Sequence, residues 1–252
     1  MKRQALHIPY QEVESMLLTI PKQITVISPH LDDAVFSCGC LLAESRDALV
    51  ITVFAGVPDP GIKAPPWDIA TGFSSGHQAV LTRREEDSES MRRLGARSAW
   101  LNFWDGQYGR SYQTTDLVLA LKTILQERGG TILMPLGLAH PDHLLTSNAC
   151  LAVREVLLLA QQYTAYGATD HPINWLVYEE AIYRRVPGLV VDRLAAWKQA
   201  GLGMCAVKFP TSSVKKKAHA VDAYQSQLPL FGAAKRADLG LPESYWRLVS
   251  DP

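Results

Sequence analysis

Short apolar runs alternate along this chain with longer segments in which apolar residues recur at helical spacing. The apolar runs predict five β-strands, at Ile24–Ser28, Ala48–Ala55, Ala99–Trp104, Thr131–Met134 and Trp175–Tyr178. The second run, ALVITVFA, is almost wholly apolar, as is typical of a strand that is covered on both faces. Strands that alternate with helices usually pair in parallel, so the pattern predicts a layered α/β sandwich with a mainly parallel central sheet.

Helical spacing fills most of the intervals between the predicted strands. Thr82 and Glu85 form a capping-box pattern, which predicts a helix from 82 to 94 that ends at Gly95. The same spacing predicts further helices at Thr115–Arg128, at Leu144–Gln162 and, in the tail, from about Ser212. The segment Val57–Val80 is rich in proline and glycine, and a loop of that length inside a compact domain is usually functional or mobile.

Composition restricts the class of protein. The chain has 252 residues, of which 47% are hydrophobic and 20% charged, and we expect one domain over residues 1–252. Its 25 Lys and Arg balance 25 Asp and Glu, so no basic excess is available to neutralise nucleic acid or an acidic membrane. The polar N-terminal segment lacks the apolar core of a signal peptide, and no uninterrupted apolar run approaches the ~20 residues of a spanning helix. Together with four cysteines in no CxxC pair, these features favour a cytoplasmic protein without membrane insertion.

Histidines and carboxylates are concentrated at two positions, each directly after a predicted strand. SPHLDD, at 28–33, follows the first strand, and AHPDH, at 139–143, follows the fourth. Ligands of open parallel sheets bind at the carboxyl ends of the strands, so neighbouring strands could bring both clusters together. One carboxylate and two imidazoles would bind a zinc-type ion and leave a position open for water, whose pKa the metal lowers. The remaining carboxylate and histidine would then serve in proton transfer and in stabilising an oxyanion.

Each cluster also has a simpler interpretation when it is considered alone. Asp32 or Asp33 could cap the helix that follows the first strand, because Asp favours that position. His140 and Asp142 could cap the helix that follows the fourth strand. Two such clusters, each at the end of a strand, favour a functional site over coincidental caps.

The two clusters resemble the signatures of a known family. PHLDDAVFSCG, at 29–39, resembles the PHPDDE-type signature of the LmbE-like or PIG-L de-N-acetylases, and AHPDH resembles the second motif of that family, HPDH. Less specific likenesses occur at Arg83–Gly95, Trp100–Gly106 and Lys215–Gln227. The resemblance covers most of residues 24–230 and implies a Rossmann-like three-layer sandwich. It also implies a hydrolase that removes an N-acetyl group from an N-acetylglucosamine-type sugar or conjugate.

The resemblance further implies a role for each matching residue. His30, Asp33 and His143 correspond to the metal ligands, with Zn²⁺ as the expected ion and Fe²⁺ as an alternative. Asp32 corresponds to the general base that activates water. His140 corresponds to the histidine that stabilises the tetrahedral intermediate or protonates the leaving amine, and the proton donor stays open between His140 and Asp32.

Arg83 and Asp105 match positions that contact the substrate, which we expect to be a small amino sugar. The oligomeric state is not readable from the sequence, and a homo-oligomer is compatible with it. The chain departs from the family signature at Leu31, where proline is usual, and at Ala34, where an acid is usual. Neither position matches a ligand or the base, so the metal site is expected to survive. The absence of the usual acid at position 34 is expected to affect the choice of substrate more than the reaction.

Two other functions fit parts of the pattern. Two histidines and a carboxylate also describe the metal triad of non-haem iron oxygenases, although His30 and Asp33 lie three positions apart in an α/β pattern rather than in a β-barrel. A non-catalytic Rossmann-like module that binds a sugar or nucleotide is the second alternative. The absence of GxGxxG after the first strand argues against a dinucleotide as its ligand.

Several other residues attract attention without a partner motif. Trp67 and Trp104 are candidates for contact with a sugar ring. His77, in the long loop, could reach the metal if the loop moved. We expect Glu179–Glu180 and Lys215–Lys217 to lie on the solvated surface.

Overall fold

The computed structural model describes residues 15–163 and 173–249, and within them one mixed sheet forms the centre of the fold. Its strands are β1 (Met16–Leu17), β2 (Gln23–Ser28), β3 (Asp47–Thr52), β4 (Arg97–Trp100), β5 (Gly130–Pro135), β6 (Ile173–Tyr178), β7 (Gly203–Lys208) and β8 (Tyr245–Val249). The helices are α1 (Asp33–Glu44), α2 (Pro66–Ile69), α3 (Gly76–Leu94), α4 (Thr114–Arg128), α5 (Pro141–Tyr163), α6 (Leu189–Gln199), α7 (Val214–Val221) and α8 (Ala233–Leu239). Short 3₁₀ turns occur at Gly106–Tyr108 and Leu228–Leu230.

The sheet has the strand order β1-β7-β8-β6-β5-β2-β3-β4. The five strands from β6 to β4 are parallel neighbours, whereas β8 runs antiparallel to both β6 and β7. All five strands expected from the sequence therefore belong to the parallel part, and the predicted fold class is confirmed. The chain runs outward from β2 to β3 on one side and returns to β5 on the other. The carboxyl ends of β2 and β5 thus lie at a topological switch point, where such sheets bind their ligands.

Two apolar layers cover the sheet because the strand side chains alternate between its faces. On one face, Ile24 and Val26 pack into a cluster with α1, α3 and α7. On the other face, Ile27 and Ile51 pack into a cluster with α4, α5 and α6. This arrangement is the three-layer sandwich that the sequence predicted.

Several element boundaries differ from those expected. Helix α3 begins at Gly76 rather than at Thr82, because the Ser75 side chain accepts a hydrogen bond from Gln78 N and so caps the helix earlier. Its end at Gly95, with φ 75°, is as predicted. Helix α5 begins at Pro141 and so includes most of the AHPDH motif, whereas β4 ends at Trp100, four residues before the predicted end.

The long segment between β3 and α3 is fastened to the body of the protein. Asp68, in α2, is fully buried and accepts a hydrogen bond from Tyr108 Oη at 2.8 Å. Arg83 Nη2 lies 2.6 Å from Asp68 Oδ1 in a buried ion pair. His77, in the first turn of α3, has its Nδ1 2.9 Å from Pro58 O, and it is not among the residues that line the cavity described below.

Helix α5 is long and apolar enough, over Pro141–Ala160, to pass a test for membrane spans by length and composition. This is a weak indication, since the helix packs against α4 and β5 as part of the sandwich. Its first turn also contains the polar residues Asp142 and His143. We therefore describe it as a core helix of the α/β fold.

Candidate metal centre

The two polar clusters meet at the carboxyl ends of β2 and β5, which are adjacent in the sheet. Ser28, the last residue of β2, fixes the first loop, because its Oγ donates to His30 O and accepts from Ala34 N. Asp33 is the first residue of α1, and its Oδ2 accepts a hydrogen bond from His30 N at 2.9 Å. His143 enters from the first turn of α5. The expectation that the two motifs converge is thus supported by the topology.

Three donor atoms of these motifs are mutually close. His30 Nδ1 lies 3.4 Å from Asp33 Oδ2, and His143 Nε2 lies 3.1 Å from the same oxygen. The two histidine nitrogens are 3.3 Å apart. Tetrahedral ligands at zinc-type bond lengths are separated by about 3.3 Å, so the spacing fits a divalent metal ion between the three atoms.

Wider groups of potential ligand atoms surround the same point. The donor atoms of His30, His140 and His143 lie within 4.8 Å of one another, and those of His30, Asp105 and Asp142 form a second such group. Both groups share His30 with the closer set. We favour the closer set because its three separations all approach the distance that tetrahedral coordination requires.

A buried carboxylate lies behind each histidine of the closer set. Asp142 Oδ2 is 3.0 Å from His30 Nε2 and also accepts a hydrogen bond from Gly106 N. Glu180 Oε1 is 3.3 Å from His143 Nδ1. When one ring nitrogen donates its N–H to a carboxylate, the other ring nitrogen carries a free lone pair that can bind a metal. The two carboxylates thus favour the tautomers that present Nδ1 of His30 and Nε2 of His143.

The loop before His143 is held in an unusual conformation. Ala139 has φ 58°, the left-handed region that disfavours residues with a Cβ, and His140 N donates to Leu138 O across it in a tight turn. Glu180 Oε1 accepts hydrogen bonds from the N–H groups of both Gly137 and Leu138. Strained backbone of this kind persists where the surroundings hold it, and it is often found at functional sites.

Asp32 and His140 are the remaining acid–base groups at this point. Asp32 occupies the N-cap position of α1 without making a side-chain capping bond, so helix capping does not account for its carboxylate. Burial, together with the neighbouring Asp33 carboxylate, raises the pKa of Asp32 to about 7. Burial and the adjacent His30 lower the pKa of His140, whose ring lies edge-on to His30 with centroids 5.0 Å apart.

These residues line a cavity of about 290 Å³. Arg83 and Asp105, the expected substrate contacts, both line it. Trp67 also lines the cavity, whereas Trp104 is not part of its lining and instead stacks under the Arg110 guanidinium at 3.6 Å. A larger cavity of about 580 Å³ lies beside α7 and α8, but no histidine of the described residues lines it, so the donor atoms rather than cavity size locate the candidate site.

Two surface expectations are wrong. Glu179 and Glu180 are buried, because they follow β6 into the interior, and Glu179 Oε1 accepts a hydrogen bond from Trp246 Nε1. Lys217 is buried as well, in an ion pair with Glu243 at 2.9 Å, although Lys215 and Lys216 are exposed as expected. The sequence offers one clue to Glu180, which is that it follows a predicted strand. The sequence does not show that this strand lies next to β5.

Comparison with known proteins gives consistent matches. The family described as PIG-L, GlcNAc-PI de-N-acetylase, matches residues 25–154, more than half of the chain. A 2'-N-acetylparomamine deacetylase of Niallia circulans is 27% identical over 195 residues, which cover 61% of this chain and 68% of that protein. A diacetylchitobiose deacetylase of Thermococcus kodakarensis is 27% identical over 127 residues, which cover 48% of this chain and 45% of that protein. The zinc-inhibited form of teicoplanin deacetylase Orf2 has a similar fold, with a TM-score of 0.70 at 22% identity over 91% of this chain and 98% of that one.

Proposed function

Because this chain belongs to the PIG-L family, we propose that it is a metal-dependent hydrolase that removes an N-acetyl group from an N-acetylglucosamine-type sugar or conjugate. The observation that carries the proposal is the convergence of His30 Nδ1, Asp33 Oδ2 and His143 Nε2 to separations of 3.1 to 3.4 Å. Two relatives, named as deacetylases of an acetylated aminoglycoside and of diacetylchitobiose, support an amino-sugar substrate.

The donor set fits Zn²⁺, which favours nitrogen and oxygen ligands in a tetrahedral arrangement. A structural zinc site would normally have four protein ligands, whereas this set of three leaves one position open. When bound there, the ion would polarise the amide carbonyl and make water more acidic. Fe²⁺ remains an alternative because the same ligand types bind it.

The other residues of the cavity supply the proton transfers. Asp32 removes a proton from the water that attacks the amide carbon, and a carboxyl pKa near neutrality suits a group that gains and then returns a proton. His140 faces the same space, where its ring N–H would donate a hydrogen bond to the oxyanion. Although burial lowers the pKa of His140, the negative charge that develops on that oxygen would favour the imidazolium form. The C–N bond then breaks, and acetate and the free amine are released. The amine receives its proton from Asp32 or from His140.

Arg83 and Asp105 are proposed to bind the sugar. Both line the cavity, and Asp105 is held by hydrogen bonds from Gln107 N and Gln107 Nε2. A carboxylate fixed in this way is a suitable acceptor for sugar hydroxyl groups. Leu31 and Ala34, where the chain departs from the family signature, are both buried. Leu31 lines the cavity, whereas Ala34 is not among its lining residues.

The test is release of free amine and acetate from a panel of N-acetylglucosamine derivatives by the zinc-loaded protein, with bound metal measured in parallel. The matched control is Asp32→Asn, which keeps the shape of the side chain and removes the base. We expect one metal per chain in both proteins and amine release by the wild type alone. Amine release by Asp32→Asn at the wild-type rate would exclude Asp32 as the base. Oxygen consumption by an iron-loaded protein, without amine release, would instead favour the oxygenase alternative.

A further inference from the structure

One wall of the candidate cavity contains two nitrogen donors that the proposed chemistry does not use. Gln227 precedes the 3₁₀ turn Leu228–Leu230, and Lys235 lies in α8. Both line the cavity that also contains His30, Asp32 and His143. These two donors, with Phe231 between them, are called the C-terminal wall below.

Gln227 is buried and fixed in position. The segment before it is fastened to α3, because Glu86 accepts hydrogen bonds from both Ser226 N and Ser226 Oγ at 2.7 Å. Gln227 N donates to Tyr224 O, yet Gln227 Nε2 has no hydrogen-bond partner among the described residues. A buried amide donor without a partner costs free energy, so a ligand oxygen that accepts its hydrogen bond would be favoured here.

Lys235 carries the second donor and a charge. Its Nζ lies over the rings of Tyr183 and Phe231, at 5.4 and 5.9 Å from their centroids, and it forms no ion pair with a described residue. The other cationic side chain of the lining outside the histidines, Arg83, is already paired with Asp68. Lys235 is therefore the positive charge that is free to meet a negative group of the substrate.

We propose that the C-terminal wall binds an acidic, oxygen-bearing group attached to the amino sugar, so that the enzyme prefers anionic conjugates. This inference rests on the proposed deacetylase function and names its substrate class. The acetamido group must lie at the metal, where Asp32 and His140 act. The group on the far side of the sugar then faces the C-terminal wall. Donors without acceptors recognise oxygen atoms, and the charge on Lys235 favours a carboxylate or a phosphate over a hydroxyl group.

The test compares three N-acetylglucosaminides that differ in the group attached at the anomeric oxygen: the methyl, the carboxymethyl and the phosphate derivatives. For the wild type we expect kcat/KM to be about fivefold higher for each anionic derivative than for the methyl derivative, the gain expected of one partly exposed ion pair. The preference should decrease as salt is raised. A preference confined to the carboxylate or to the phosphate would identify which anion the wall recognises.

Two variants locate the effect. Lys235→Met should bring the carboxymethyl and methyl derivatives to about equal kcat/KM, mainly by raising the KM of the carboxymethyl derivative. Gln227→Glu should also reduce the preference, because a carboxylate replaces the donor. Lys215→Met is the matched control, since Lys215 is an exposed lysine outside the cavity. It should retain the full preference.

Binding of the corresponding free amines, measured by calorimetry, separates failure of this inference from failure of the proposed function. Tighter binding of the carboxymethyl or phosphate amine, lost in Lys235→Met, would support the anion site even without turnover. Equal kcat/KM for all three derivatives, with the methyl derivative hydrolysed, would support the proposed deacetylase function. The same result would overturn the proposal that the C-terminal wall binds an anion. Retention of the wild-type preference by Lys235→Met would overturn the anion site as well.

Discussion

The metal-facing half of the cavity and the C-terminal wall are built in different ways. His30, Asp33 and His143 lie in two short motifs, each within a few residues of a strand end, and adjacent parallel strands bring the motifs together. The C-terminal wall comes from a segment that is fastened to α3 by side chains, through Glu86 and Ser226. Local sequence therefore determines the chemistry of one half, whereas long-range contacts determine the shape of the other. We therefore expect the proposed reaction and the proposed substrate preference to be separable by mutation.

The largest expected effect is on the metal-facing half. Asp33→Ala removes the Oδ2 atom that lies 3.4 Å from His30 Nδ1 and 3.1 Å from His143 Nε2. It also removes the hydrogen-bond acceptor of His30 N. We expect loss of stoichiometric metal and of essentially all activity. Metal content after dialysis, with Asp32→Asn as the comparison, measures this effect. Retention of one metal per chain by Asp33→Ala would exclude the proposed ligand set.

A smaller effect is expected from Glu180, which supports the metal-facing half from β6. Glu180→Gln keeps an oxygen for the N–H groups of Gly137 and Leu138 but removes the charge beside His143 Nδ1. Loss of such a supporting carboxylate typically weakens metal binding by about 10- to 100-fold. Competition with a chelator measures that affinity directly. Glu179→Gln is the matched control, since this neighbour contacts Trp246 rather than a proposed ligand, and an equal effect in both variants would contradict a specific role for Glu180.

The same division explains what could be predicted from the sequence. Apolar runs identified the parallel strands, and the position of His30 and His143 after β2 and β5 followed from the rule for ligands of open sheets. β7 and β8 were not predicted, because their pairing depends on a chain reversal that leaves no strong local pattern. Glu180 was assigned to the surface, since a glutamate pair after a strand is usually solvated. Its contacts with Gly137 and His143, which lie 43 and 37 positions earlier in the chain, show that it is buried beside the candidate metal centre.

The C-terminal wall should respond differently from the metal-facing half. Ser226→Ala removes the hydroxyl bond to Glu86 and so loosens the support of Gln227, while the bond from Ser226 N remains. We expect the KM for the carboxymethyl N-acetylglucosaminide to rise about threefold, which corresponds to the free energy of about one weakened hydrogen bond. The metal affinity should not change. The matched control is Ser212→Ala, because Ser212 forms a similar pair with Glu44 away from the cavity. A change in metal affinity in Ser226→Ala would show that the two halves are coupled.

The last effect is on stability rather than on catalysis, and it concerns the second fastening of the wall to α3. Asp87 is buried and accepts hydrogen bonds from Tyr224 Oη and Trp100 Nε1, and burial raises its pKa to about 7. Since this pKa is above that of the unfolded chain, ~4, the folded protein binds the extra proton between these values. The contribution of Asp87 to stability is therefore complete below about pH 4 and decreases as the pH rises toward 7.

Asp87→Asn cannot ionise, so the free energy of unfolding of the wild type should fall relative to this variant by about 2 kcal/mol between pH 5 and 7. Urea unfolding in the presence of a chelator measures the difference without a contribution from bound metal. Asp222→Asn is the control for removing a carboxylate, because Asp222 is exposed. A constant difference between the wild type and Asp87→Asn would mean that Asp87 keeps the same charge throughout this range. Tyr224 would then fasten the C-terminal wall with the same strength at every pH at which the enzyme is assayed, and any pH dependence of substrate preference would have to arise within the cavity itself.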